Sequence, residues 1–210
     1  MDNLESDTFI NMMHSVMTLY LNHGPRSNKN VDFFHNFIKN ELEQIFTGEM
    51  YSVKLEVNVP SANSAGRKKC DIVVLRNKQP YIIFPVKITK TNYKQNKNNG
   101  WENLTGELTH IHWANENIAI IPINIFMDKT PYLSNSGLIT KFENVTYSDI
   151  SNYNILKEKN IVHDVINYIL EVEHQSKLNE RFDKLPTFRG FNIQTPFRSL
   201  REIVTPLLVG

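Results

Sequence analysis

Cysteine is almost absent from this chain. The only one, Cys70, excludes an intrachain disulfide and any thiolate metal site assembled from these residues alone. Long apolar runs are also missing: no stretch approaches the ~20 apolar residues of a membrane span. The N-terminal MDNLESDTF is acidic and lacks a long apolar run, against a secretory signal. The expectation is a soluble, intracellular (cytoplasmic) protein with no membrane partner. Motifs of several enzyme classes are lacking too. The glycines of NNGWENLTGE have the wrong spacing for a P-loop, and neither a nucleophile elbow nor HExxH occurs, so kinase, NTPase, serine-hydrolase and zincin chemistry find no support. His110 and His112, two residues apart on a helix, diverge too far to form a metal pair and read as surface or partly packed histidines.

Acidic charge is missing from one interval. Between Asp71 and Glu102 there is no Asp or Glu, while Arg76, Lys78, Lys87, Lys90, Lys94 and Lys97 fall inside it and Arg67, Lys68 and Lys69 precede it. With a net charge of only +1, nucleic-acid binding would have to come from such a local patch. The charge pattern alone reads equally well as a solvated lysine-rich loop.

What is present describes one globular domain spanning 1–210: 40% of residues are hydrophobic and 21% charged, enough for a sizeable core. Residues 8–22 carry Phe9, Met13, Met17 and Tyr20 at helical spacing, and HGPRSNKN ends that helix. A second helix, capped by Asp32, runs to about Phe46 with Phe34, Ile38 and Ile45 on one face. Glu41 shares that face. It is either a site residue needing a partner or a stripe-edge glutamate reaching solvent. YSVKLEVNV, CDIVVL and YIIFPVKI then predict three strands, the last two an antiparallel hairpin near the sheet centre, joined by RNKQP. WENLTGELTHIHWANEN predicts an amphipathic helix and IAIIPINIFM a strand, followed by a turn-rich DKTPYLSNSG. SDISNYNIL starts a short helix. NIVHDVINYILEVEHQ reads as a helix with Ile161, Val165, Tyr168, Ile169 and Val172 on one side, so about 150–210 is expected to be a helical C-terminal extension. Phe188, Arg189, Phe191, Phe197, Arg198 and Arg201 of the tail either grip nucleic acid or dock the tail on the core.

Asp71 and Lys87 each stand at one end of an apolar strand, where a charge has little packing reason to be. If the connection centres on Lys78, Asp71 lies across from Pro85, with Lys87 on the same face two residues on. The string KKCDIVVLRNKQPYIIFPVKIT resembles the signature hairpin of the PD-(D/E)XK, restriction-endonuclease-like nucleases, and the likeness spans about residues 32–126. The resemblance implies an α/β core of order α-β-β-β-α-β around a mixed sheet. It also implies Mg2+ (or Mn2+), with Asp71 as metal-binding aspartate, Lys87 as catalytic lysine, Glu41 as helix acid, and Lys90, Lys94, Lys97, Arg67 and Lys68 as contacts to double-stranded DNA. Type II restriction enzymes work as homodimers, which the resemblance implies as well. Pro85 departs from the pattern by standing where the strand acid belongs. Either that acid has migrated to the following helix, as Glu102 in preference to Glu107, and the chain is a Mg2+-dependent endonuclease, or the fold is catalytically silent and binds DNA or a protein partner.

Overall fold

The computed structural model describes residues 2–208. Two helices, α1 (Asp2–His23) and α2 (Lys29–Ile45), lead into the strands β1 (Tyr51–Pro60), β2 (Arg67–Arg76), β3 (Gln79–Phe84) and β4 (Val86–Ile88). Helix α3 (Tyr93–Ala114) crosses to β5 (Ala119–Ile120) and β6 (Ile123–Met127). The rest comprises β7 (Lys129–Leu133), β8 (Ile139–Asn144), the short helices α4 (Tyr147–Ile150) and α5 (Asn154–Glu158), then β9 (Ile166–Glu173), β10 (Thr187–Phe191) and α6 (Leu200–Leu208). The architecture is α/β, with mixed sheets flanked by helices. None of the helices among the described residues is long and apolar enough to cross a membrane.

Two four-stranded ladders, β1-β2-β3-β5 and β10-β9-β6-β4, meet along one line. Proline creates that line. Pro85 separates β3 from β4, and Pro122 separates β5 from β6, because neither can donate to a ladder. Pairing nevertheless continues across both: Ile121 N–H donates to the Ile83 carbonyl at 2.8 Å and Ile123 N–H to that of Pro85 at 2.8 Å. The apolar layer on one side holds α1, α2 and α6 against Ile72, Val74, Ile82, Phe84, Ile123 and Ile125. On the other side α3 and the short helices pack on Val73, Ile83, Ile120, Phe126 and Ile169. Burial on both faces explains why the central strands are nearly continuous apolar runs.

The β2–β3 hairpin turns through Asn77 and Lys78, both at positive φ (51° and 66°), as a two-residue connection with right-handed strand twist requires. Leu75 pairs with Pro80, but Val74 pairs with Ile82, so Tyr81 is an extra residue in β3. That bulge sets the register Ile72↔Phe84, whose continuation places Asp71 across from Pro85, as expected from the sequence.

Four expectations are corrected. Residues 166–173, expected to be helical, form β9, a strand parallel to β6 and antiparallel to β10, so the C-terminal third completes the sheet instead of forming a helical extension. INYILEV is an apolar, β-branched run, and such runs fit a buried strand or one side of a helix equally well. DKTPYLSNSG holds β7 and begins the β7–β8 hairpin. Helix α3 starts at Tyr93, before the expected Trp101, because a polar first two turns carry no apolar signal. Asp32 lies inside the first turn of α2 and is not its cap.

Candidate metal centre

Side-chain alternation fails at one place in the β1–β2 ladder. Val53 and Leu55 pack in the layer under α1 and α2, whereas Val57 and Val59 pack in the layer under α3. In β2, Ile72 and Val74 belong to the first layer and Cys70 to the second. Residues two apart in a strand normally share a face, so the faces exchange between 55 and 57 and between 70 and 72. The two residues at the exchange are Glu56 and Asp71, flanked by the pairs Leu55↔Ile72 and Val57↔Cys70. Glu56 is held at φ 57°, the left-handed region, which a glutamate occupies only under constraint.

The ladder also opens here on its other side. Val86 N–H donates to Asp71 Oδ2 at 2.8 Å, so the carboxylate serves as acceptor where β2 parts from β4. Across the gap stands α2, which contributes His35. One ligand atom from each of His35, Glu56 and Asp71 lies within 4.8 Å of the other two. His35 is 4% exposed, and its Nε2 is buried without a hydrogen-bond partner. Burial pulls its pKa below the ordinary imidazole value, against the opposing pull of the Asp71 and Glu56 charges, so the ring is neutral and able to ligate. Lys69 forms an ion pair with Glu56 and feels Asp71 as well. An imidazole and two carboxylates around one point suit a borderline divalent cation such as Mn2+ better than Mg2+, which prefers oxygen alone.

No protein-family model, curated protein or solved structure matches this chain.

The other acids expected at the site lie outside this cluster. Lys87 is exposed, forms no ion pair with Asp71, and lines a different cavity together with Lys90 and Lys97. Glu102 is exposed on α3, on the side opposite the buried Leu104, Leu108 and Ile111, and it is no part of the cluster. Glu107 borders that stripe and pairs with Lys68 at 2.9 Å. Glu41 lines a cavity between α1, α2 and α6, where burial and the nearby Glu5 raise its pKa. Among the basic residues, Lys97 pairs with Asp149 at 2.9 Å, Lys94 is exposed with its backbone N–H on Glu143, and Arg67 is exposed.

His35 and Glu56 were not singled out in the sequence. His35 sits beside Phe34 in the buried stripe of α2, a faint signal. Glu56 occupies a polar place in the alternation of YSVKLEVNV, and nothing local marks its left-handed backbone.

Proposed function

We propose that this protein is a divalent-metal-dependent endonuclease with a restriction-endonuclease-like core, cleaving DNA phosphodiester bonds as a homodimer, its metal held by His35, Glu56 and Asp71. One observation carries the reading: an imidazole and two carboxylates converge where the sheet opens at Asp71, the aspartate of the signature hairpin. The acid missing at Pro85 is supplied by β1 in this reading, not by Glu102 of α3.

A bound divalent cation would supply Lewis-acid stabilisation of phosphoryl charge and lower the pKa of water. The chain contributes the rest. Val86 N–H fixes one Asp71 oxygen and leaves the other free to ligate. The face exchange brings Glu56 to the side where α2 carries His35. Lys69 offsets part of the negative charge of the two acids and can hold an attacking water or a phosphate oxygen.

The test is titration with Mn2+ by calorimetry, together with cleavage of mixed double-stranded DNA, in the parent and in His35→Gln, Glu56→Gln and Asp71→Asn. The expected result is one ion per chain, at least roughly tenfold weaker in each variant, about 1.4 kcal/mol or more, and cleavage lost with it. Mn2+ binding unchanged by Asp71→Asn and His35→Gln would remove the metal centre. Tight binding without cleavage of any DNA would retain the centre and sink the nuclease.

A further inference from the structure

The acid-free interval noted in the sequence folds around a cavity of about 370 Å3 between β4, α3 and the segment joining them. Among the described residues, none that lines it is an Asp or Glu, while Lys87, Lys90 and Lys97 line it with Asn96, Asn99 and Asn103. Lys97 has a carboxylate partner, Asp149, which lies outside the lining. Among the described residues Lys87 and Lys90 form no ion pair. Lys90 is mostly buried, its ammonium 5.4 Å from the centre of the Tyr20 ring.

The segment that carries Lys90 is pinned from both sides. Thr89 N–H donates to the Ile125 carbonyl at 2.9 Å, and Asn92 N–H to that of Pro131 at 3.0 Å. The Asn92 side-chain oxygen accepts from Leu133 N–H at 3.0 Å. Lys90 is therefore held in the cavity wall by backbone geometry and cannot simply swing to solvent with its loop. A desolvated ammonium without a counter-charge is costly, and burial pulls its pKa down to about 8. An anion entering the cavity would supply the missing charge, and the amide side chains would hydrogen-bond its oxygens.

We propose that this cavity is a binding site for a phosphoryl group, with Lys90 and Lys87 as its charge contacts and Asn96, Asn99 and Asn103 as amide donors. Its volume lies near the lower end of the range of about 300–1,000 Å3 typical of ligand sites, room for a phosphate and little more than a sugar or ring attached to it. The same chemistry is offered by a free nucleotide and by the backbone of a nucleic-acid strand. The site is distinct from the His35–Glu56–Asp71 cluster, which contributes none of its lining, and stands whether or not that cluster holds a metal.

The experiment titrates the full chain, in EDTA so that no metal contributes, with inorganic phosphate, a 5′-mononucleotide and a short single-stranded oligonucleotide. The expected result is saturable binding that weakens with salt and falls at least roughly tenfold in Lys90→Met and in Lys87→Met. Glu102→Gln, on the outer side of α3, should bind as the parent does. If Lys90→Met does not fold, Lys87→Met, at an exposed position, carries the test alone. A mononucleotide bound more tightly than the oligonucleotide supports the site and names a free ligand; the reverse order supports it and names a strand. Failure of all three probes to saturate, or binding undiminished in the lysine variants, overturns it. Because no metal is present, that failure is separable from a failure of the nuclease reading.

Discussion

Holding a glutamate at φ 57° inside a ten-residue strand costs about 1–2 kcal/mol relative to an extended residue. The strain is tolerated because Leu55 and Val57 are each packed, in opposite layers. Glycine would adopt the same backbone without strain. Its greater freedom in the unfolded chain returns part of the gain, and the exposed Lys69 ion pair that it removes is worth little. Glu56→Gly is therefore expected to raise metal-free stability by about 0.5–1 kcal/mol, roughly 2 °C in thermal midpoint, while abolishing Mn2+ binding. A thermal melt in EDTA checks the first half and calorimetry the second. A variant less stable than the parent would mean that the glutamate is structural and not held in strain for a ligand.

At the scale of elements, the hairpin was readable because three local rules agree: apolar runs of strand length, a polar two-residue turn, and charges at the strand ends. The face exchange was not readable, since KLEVNV alternates without interruption and only the packing of both layers shows where alternation breaks. Asp71 could be found from its own surroundings. His35 and Glu56 could not, because their proximity depends on α2 packing over the point where the β1–β2 ladder exchanges faces. β9 was missed for the reason that makes it central: a strand buried on both faces loses the period-two signal. The β4–α3 connection reads in sequence only as a lysine-rich loop, yet its backbone bonds fix Lys90 in a cavity wall. Among the described residues, the charged or titratable groups sharing that cavity are Lys87, Lys97 and the tyrosines Tyr20, Tyr93 and Tyr153, so no carboxylate there offsets the Lys90 charge. Depression of its pKa from 10.5 to about 8 corresponds to about 3 kcal/mol. The folded value lies below the unfolded one, so relative to an uncharged side chain Lys90 costs nothing above about pH 10.5. Its cost grows as pH falls through that window and is full below about 8. Lys90→Met should accordingly be more stable than the parent at pH 7, by about 1–3 kcal/mol after structural relaxation, with the difference shrinking towards pH 10.5. Urea denaturation at pH 7 and pH 10 measures it. An equal difference at both values would show that packing rather than charge is responsible.

For the whole molecule the decisive question is whether the C-terminal part is an appendage or a component of the core. The resemblance in sequence covers only about residues 32–126, but the apolar layer under α1 and α2 runs without a break into β9, β10 and α6. Phe9 of α1 is its hub: its ring centre lies 5.3–6.4 Å from those of Phe34, Phe37, Tyr168, Phe191 and Phe197, which joins both ends of the chain to the sheet. Docking of the tail therefore occupies its phenylalanines. Of its arginines, Arg198 pairs with Asp164 at 2.8 Å and Arg189 with Glu173. Tyr168 O–H donates to the Arg198 carbonyl at 2.6 Å, and Tyr81 O–H to that of Leu207, tying α6 and the segment just before it to two separate strands. Removing residues 185–210 would strip β10 and α6, leaving one side of β9 unpaired and the rings of Phe9 and Tyr168 open to water. Losses of about 3–5 kcal/mol for each large aromatic contact site exceed what a domain of marginal stability can absorb. The full chain is expected to unfold in one transition, with near- and far-ultraviolet circular dichroism coinciding. The chain cut after Lys184 should show no cooperative transition and should bind hydrophobic dye. A truncated chain that still melts cooperatively, with native near-ultraviolet signal, would make the tail an independent attachment and confine the folding unit to the segment around the hairpin.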